Sequence, residues 1–141
     1  LVIAGAHTIG AAHCSAFDYR LKPNVRNPNS SSSSSLDGNY AGRLIQLCAR
    51  DDDSVVVSND PRTPFTFDNG YYRNVVANEG LLESDSALGI DSRTRDRVME
   101  FADDQGRFFE EWGVAFAKLS SIGAKDEDNG GEVRRICSAP N

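Results

Sequence analysis

The chain has 141 residues, of which 39% are hydrophobic and 26% charged, and this balance predicts one compact domain or a large part of one. The formal net charge of −6 and the lack of a basic cluster in the sequence argue against nucleic acid as a partner. No apolar run approaches the roughly 20 residues that a membrane-spanning helix needs, so no membrane partner is predicted.

The two ends of the chain differ in character. The sequence opens on the apolar run Leu1-Val2-Ile3, shows no N-terminal signal pattern and has its only methionine at Met99. The other end, from Ile136 to Asn141, is mostly polar. We therefore expect residues 1–141 to be the C-terminal part of a longer domain whose N-terminal part is absent from this sequence.

The first predicted element is a buried helix from about Ala6 to Leu21, because this stretch is rich in small and apolar residues. Such a helix would place His7, Ala11 and Cys14 on one face, with His13 about 120° away from His7. The two histidines would then not share one metal ion, which argues against a zinc site. A single imidazole in small, apolar surroundings can instead ligate haem iron.

The middle of the chain alternates loops with short elements. Residues 22–39, which include a run of serines and a glycosylation sequon at Asn29, predict a solvated surface loop; the sequon is equally consistent with a chance triplet. Residues 40–48 have the pattern of a short amphipathic helix. The aspartates at 51–53 predict a solvated turn, and residues 55–57, all valine, predict a short extended segment.

Further helices are predicted downstream. Residues 68–80 have an apolar face, an aspartate that can cap the start and a glycine that can stop the end. Residues 81–88 follow as a tight connector. A last helical region opens at Ser92 or Thr94, and its apolar pattern continues to about Ser121 with an aromatic stripe that is expected to pack in the core. The predicted fold is mainly α-helical with long ordered loops.

An acidic residue downstream complements His7. A haem-ligating imidazole needs an acceptor for its second ring nitrogen, which fixes the orientation of the ring. Asp85, which is flanked by leucines, is a candidate for a buried carboxylate in that position. It would push electron density through the ring and lower the reduction potential of the iron. The alternative is that Asp85 is a helix cap or turn residue.

A second group of oxygen-bearing residues lies in a proline-containing loop. Asp60, Thr63 and Asp68 offer two carboxylates and a hydroxyl, which together with loop carbonyls suit a hard cation such as Ca²⁺. Turn capping by the same side chains is the alternative interpretation. If Thr8 were also a ligand, the ion would brace the segment that carries His7.

The chain has three cysteines, an odd number. In an oxidising compartment, either one thiol is free or one partner lies outside this sequence. A bridge between Cys14 and Cys48 would close a loop of about 35 residues, which the chain-entropy model values at roughly 4 kcal/mol.

Taken together, these motifs resemble the class III secreted plant haem peroxidases. The resemblance covers essentially the whole chain and rests on five motifs in register. They are Gly5-Ala6-His7-Thr8-Ile9-Gly10 with His13-Cys14; Asp60-x-x-Thr63-Pro64 with Phe67-Asp68-Asn69-x-Tyr71-Tyr72; Gly80-Leu81-Leu82-x-Ser84-Asp85; Phe101-Ala102 with Phe108-Phe109; and Val133-Arg134-Arg135-x-Cys137.

The resemblance implies specific roles for these residues. His7 would be the axial haem ligand and Asp85 its hydrogen-bond partner, while Cys14 would pair with Cys48. Cys137 would pair with a cysteine outside this chain. The implied ligands of the proximal calcium ion are Thr8, Asp60, Thr63 and Asp68, to which the backbone carbonyl of Thr66 is added. Residues 1–141 would form the proximal helical half of the peroxidase fold, and the distal arginine and histidine of the family would lie in the missing half, so that no catalytic residue is predicted here.

The activity implied by the resemblance is that of a secreted, monomeric peroxidase with haem b and calcium. The intact enzyme would reduce hydrogen peroxide and oxidise small phenolic donors in one-electron steps, in the cell wall or outside the cell, whereas the fragment alone is expected to be inactive. One alternative is a non-enzymatic calcium-binding or interaction module derived from the same fold. Another is a disulfide-stabilised helical protein without a ligand.

Overall fold

The computed structural model describes residues 1–21, 36–49, 54–125 and 130–141. The described part is mainly helical, as the sequence predicts. Its elements are a 3₁₀ helix Val2–Thr8, strand β1 Ala11–His13, 3₁₀ turns Cys14–Ala16 and Asp18–Arg20, helix α1 Gly38–Leu47, strand β2 Val56–Ser58, and helices α2 Gly70–Val76, α3 Glu83–Ile90, α4 Arg95–Asp103 and α5 Gln105–Ser121. The sequon at Asn29 and the aspartates at 51–53 lie outside the described residues.

The predicted helix at residues 6–21 is wrong. The 3₁₀ helix that carries His7 ends at Thr8, and Gly10 then adopts a φ of 92°, a backbone conformation that favours glycine. This turn directs the chain into β1, which pairs antiparallel with β2 so that Ala12 faces Val57. His7 and Cys14 therefore do not share a helix face, and the sheet rather than a helix sets their separation.

Helix α1 and strand β2 agree with the sequence prediction within two residues. The side chain of Asp37 caps α1 by accepting hydrogen bonds from the amides of Asn39 and Tyr40, at 2.9 and 3.0 Å. Helix α2 is shorter than the predicted 68–80 segment. It ends at Val76 because Asn78 takes a left-handed conformation, with a φ of 59°, before Gly80 is reached.

The connector predicted at residues 81–88 is also wrong, because most of this segment forms helix α3. The side chain of Asp85 accepts the amide of Leu82 at 3.2 Å and so satisfies a free N–H at the start of the helix. Buried Arg20 donates to the carbonyl oxygen of Gly80 at 2.8 Å and to that of Leu81, which fixes the chain that enters the helix. The hydrogen bonds made by the side chains of Asp85 and Arg20 stabilise the start of α3, and the pattern of apolar residues in the sequence does not reveal them.

The helical region after Thr94 is interrupted. Asp104 separates α4 from α5 and caps α5 by accepting the amide of Arg107 at 2.9 Å. The aromatic stripe packs only in part: Phe108 is fully buried, whereas Phe109 and Phe116 are 40% and 51% exposed. The expectation that the whole stripe is core is therefore wrong for the outer face of α5, since α5 packs mainly against the first 3₁₀ helix and α4.

Two hydrophobic clusters hold these elements in place. The first consists of Tyr71, Tyr72, Val75, Val98, Phe101, Ala102 and Phe108. The second consists of Cys14, Phe17, Tyr40, Leu44, Val57 and Leu81. Burial of this apolar surface fixes α2 and α3 against the N-terminal segment. Within the described residues, no helix is both long and apolar enough to cross a membrane.

Candidate functional site

The structure brings His7 and Asp85 together although they are 78 residues apart in the chain. Nδ1 of His7 donates to Oδ1 of Asp85 at 3.0 Å. Asp85 is only 2% exposed, and its Oδ2 atom accepts the amide of Leu82. The buried carboxylate therefore has a partner on each oxygen, and the interpretation of Asp85 as a helix cap holds alongside its contact with His7.

Tyr71, for which the sequence predicted no role, is a third member of this group. Its hydroxyl donates to the same Oδ1 atom of Asp85 at 3.1 Å, and its ring stands edge-on to the His7 ring, with centroids 5.9 Å apart and planes at 82°. Burial raises the pKa of Tyr71, and the charge of Asp85 adds to this, so the hydroxyl stays protonated and continues to donate. The available signal was its place in the motif Phe67-Asp68-Asn69-x-Tyr71-Tyr72, which did not specify a role for it.

The free side of His7 suits a metal ligand. Its hydrogen bond to Asp85 raises the pKa of His7, while partial burial of the ring opposes the increase. Since Nδ1 is engaged, Nε2 is the nitrogen left for a ligand, and no described residue bonds to it. The side chain is 37% exposed. An apolar cavity of about 430 Å³ begins two residues further along the chain; it is lined by Ile9, Gly10, Ala11, Ser58, Pro64 and Phe65. His7 is not among the lining residues, but a histidine with a free ring nitrogen and a nearby apolar surface are the features that a flat macrocycle such as haem requires.

The oxygen cluster also forms. Asp60 is fully buried, and its Oδ1 atom accepts the amides of Arg62 and Thr63 at 2.8 and 3.2 Å and the side-chain amide of Asn74 at 2.9 Å. Its Oδ2 atom accepts the Thr63 hydroxyl at 2.8 Å. Burial acts to raise the pKa of Asp60, but the hydrogen bonds outweigh it and lower the pKa. The hydrogen bonds therefore keep the buried carboxylate of Asp60 ionised.

Asp68 approaches the same point from the start of α2. Its Oδ1 atom accepts the hydroxyl of Thr8 at 3.1 Å and the amide of Gly70 at 2.7 Å. A Cβ atom placed on Gly70 would touch Oδ2 of Asp60 and lie 2.7 Å from Oδ1 of Asp68 and 3.0 Å from Oγ1 of Thr63. Oxygens from three side chains thus converge beside the backbone of Gly70, a donor set that fits Ca²⁺.

The two carboxylates of the oxygen cluster are not sufficient by themselves to hold a cation. Among the described residues, no group of three or more His, Cys, Asp or Glu side chains could hold a metal ion, so a cation here would depend on threonine and backbone oxygens as well as two carboxylates. Thr66 is exposed, and its amide donates to the carbonyl of Thr63 at 3.0 Å. No hydrogen bond in the described part links Thr66 to either carboxylate.

The structure contains a disulfide between Cys14 and Cys48, with Cα atoms 5.7 Å apart. It joins the segment that follows β1 to the end of α1. Cys137 is a free, exposed thiol. The disulfide therefore ties down the chain between His7 and Arg20, the residue that fixes the entry to α3.

Comparison with known proteins identifies relatives along the whole chain. The family model described as "Peroxidase" matches residues 1–104. Peroxidase 46 and Peroxidase 18 of Arabidopsis thaliana are 44% and 46% identical to this chain over its entire length. Peroxidase 63 of the same plant is 40% identical, also over the entire chain. The chain covers 43%, 43% and 41% of these three proteins, so it spans about two fifths of the relatives that it matches.

Proposed function

This chain belongs to the peroxidase family, and from that premise we propose that residues 1–141 form the proximal half of a haem-dependent peroxidase. The whole enzyme would reduce hydrogen peroxide and oxidise small phenolic donors. The observation that carries the proposal is the hydrogen bond between His7 and the buried carboxylate of Asp85. A carboxylate behind a histidine that ligates iron is the arrangement expected where the imidazole must be strongly electron-donating.

In this proposal Nε2 of His7 would hold the iron of haem b, and the haem would supply the redox chemistry. Asp85 holds the proton on Nδ1, which keeps Nε2 free and the ring in a fixed orientation. Tyr71 donates to the same carboxylate and limits its movement. The side chains of Ile9 and Pro64 in the open apolar pocket would offer an apolar surface to the macrocycle.

We further propose a structural calcium ion held by Thr8, Asp60, Thr63, Thr66 and Asp68. Thr8 directly follows His7 and already bonds to Asp68, so the ion would brace the segment that positions the imidazole. The disulfide supports a secreted protein, because such bonds persist in oxidising compartments. We propose a location outside the cell or in the cell wall, and a monomeric intact enzyme.

Haem titration tests the axial ligand directly. The chain with His7→Ala should lose most of the Soret change that the unaltered chain shows. His13→Ala should retain it, because His13 lies in β1 and is not the histidine that bonds to the buried Asp85. Equal haem binding by all three proteins would contradict the assignment. We expect no oxidation of guaiacol by the haem-loaded 141-residue chain, since the distal arginine and histidine of the family are not among its residues; robust turnover would refute that expectation.

A non-enzymatic calcium-binding module is the second candidate. It is favoured by one observation, namely that Thr8 already bonds to Asp68 and Thr63 to Asp60, so two pairs of oxygen-bearing side chains form within this chain. Calcium would then raise the melting temperature while haem produced no Soret change. The same titrations therefore separate the two functions.

A further inference from the structure

The two oxygens of Asp60 have different surroundings. Oδ1 accepts three N–H donors, whereas Oδ2 accepts only the hydroxyl of Thr63. Oδ2 is also the Asp60 oxygen that lies beside Gly70, where Oδ1 of Asp68 arrives. The carboxylate is thus turned so that its less occupied oxygen faces the other acidic side chain.

Only one of the three donors to Oδ1 comes from outside the loop of Asp60. The amides of Arg62 and Thr63 belong to the same turn and cannot fix that turn relative to the rest of the protein. Asn74 lies on α2, is 1% exposed and donates through Nδ2 at 2.9 Å. Within the described residues it is the one hydrogen bond that joins Asp60 to α2.

Helix α2 also holds the second carboxylate. The amide of Gly70 donates to Oδ1 of Asp68 at 2.7 Å, and Gly70 and Asn74 are four residues apart, on one face of the helix. One rigid turn of α2 therefore carries a donor for each acidic residue. The separation of Asp60 and Asp68 is set by this turn rather than by the loop alone.

The other end of the Asn74 side chain supports the same interpretation. Its Oδ1 atom is buried and has no hydrogen-bond partner in the described part of the structure. An unsatisfied buried acceptor costs free energy, so packing alone gives no reason for an amide here. If the amide were rotated by half a turn, its oxygen would lie against the Asp60 carboxylate and the two would repel each other. The Nδ2 atom is therefore held toward Asp60.

We propose that Asn74 is a positioning residue for calcium: by binding Oδ1 of Asp60 it presents Oδ2 alone to the ion and sets the spacing of Asp60 from Asp68. This inference rests on the calcium site of the proposed function. Asn74 does not touch the ion in this arrangement and acts through Asp60. Loss of such an outer partner typically weakens metal binding 10- to 100-fold.

The test compares Asn74→Leu with Val75→Ala in the full 141-residue chain. Leucine keeps the approximate volume of the side chain and removes the donor, while Val75→Ala leaves a cavity in the same helix without contacting Asp60. Calcium affinity is measured by isothermal titration calorimetry, and the melting temperature is measured in EGTA. We expect Asn74→Leu to weaken calcium binding about 10-fold or more. Its melting temperature in EGTA should be at or above that of Val75→Ala. The Val75→Ala control should bind calcium like the unaltered chain.

A purely structural role for Asn74 gives the reverse pattern. The leucine variant would then melt below Val75→Ala in EGTA, while its calcium affinity would stay within about threefold of the unaltered chain, a difference as small as that of an ordinary surface substitution. That result would overturn the inference and leave the calcium site standing. If the unaltered chain binds no calcium, the site itself is wrong and the inference falls with it. Should the leucine variant not fold, Asn74→Ala removes the same donor and is judged by the same affinity criterion.

Discussion

The His7–Asp85 pair and the Asp60–Asp68 cluster are built in different ways. The pair joins residues 78 positions apart and exists only because α3 is held against the N-terminal segment. Most of the cluster lies within one loop and the first turns of α2, with Thr8 as its single distant member. The pair should therefore respond to the loss of long-range ties, whereas the cluster should depend mainly on local bonds.

Removing the disulfide is expected to cause the largest loss of stability, because it is a long-range tie. Replacing Cys14 and Cys48 together with serine should lower the free energy of unfolding by about 4 kcal/mol, because the unfolded chain regains the freedom of a long loop. Denaturant unfolding measures this change, and calcium affinity of the folded variant should stay close to that of the unaltered chain. Cys137→Ser is the control and should change stability by less than about 0.5 kcal/mol.

The pair itself can be broken at the carboxylate. Asp85→Ala removes the acceptor of the buried Tyr71 hydroxyl and of the Leu82 amide, and we expect a loss of about 2–3 kcal/mol of unfolding free energy. Asp91→Ala is a suitable control, since Asp91 forms an exposed ion pair with Arg93. Equal effects of the two substitutions would show that Asp85 does not organise the buried group.

Tyr40 tests the hydrophobic cluster on which the long-range ties rest. Its buried hydroxyl has no partner in the described residues, so Tyr40→Phe should stabilise the protein by about 1 kcal/mol. Burial raises the pKa of Tyr40 to about 12. The unfolded chain therefore loses this proton first, near pH 10, and stability falls as the pH rises from 10 to 12.

The pH dependence gives a second measure of the same residue. Between pH 8 and pH 11 the Tyr40→Phe variant should lose about 1.4 kcal/mol less stability than the unaltered chain. The reason is that pH 11 lies one unit above the ordinary tyrosine pKa, and each such unit changes the free energy of unfolding by about 1.4 kcal/mol. Denaturant unfolding at the two pH values measures the difference. Parallel losses in both proteins would contradict the burial of a neutral hydroxyl.

The smallest stability effect is expected in the cluster. Thr63→Val keeps the shape of the side chain and removes one hydrogen bond to Asp60, which should cost about 1 kcal/mol or less in EGTA. It should, however, weaken calcium binding if the Thr63 hydroxyl is a ligand, as we propose. A variant that loses much stability in EGTA but binds calcium normally would reverse the contrast between the two regions.

Local signals in the sequence located some elements well. Thr94, one of the two residues predicted to open the next helix, directly precedes α4, and the valines at 55–57 predicted β2 within one residue. The failures have a common cause. The 3₁₀ helix around His7 gives way to β1, and α3 replaces a predicted connector, because partners distant in sequence supply the bonds that these segments need.

The candidate site shows the same division. The residue types and spacing pointed to His7, Asp85 and the oxygen-bearing loop, and the family resemblance reinforced them. No role was predicted for Tyr71, although it stands in one of the motifs, or for Asn74, because each looks like an ordinary residue on a helix. Their importance comes from atoms that they meet: Oδ1 of Asp85 for Tyr71 and Oδ1 of Asp60 for Asn74. A helical period cannot reveal a hydrogen bond to a residue on another element.

The sequence by itself determined which chemical groups are available: one imidazole within a short apolar segment, an acid among leucines, and a loop dense in oxygen ligands. It also determined their family, through the order and spacing of the motifs. Only the tertiary structure decided that the imidazole faces the acid and that a single oxygen of Asp60 is turned toward Asp68. The physical reason is that local propensities act over a few residues, whereas a contact between residues 78 positions apart is selected by burial and packing of the whole chain.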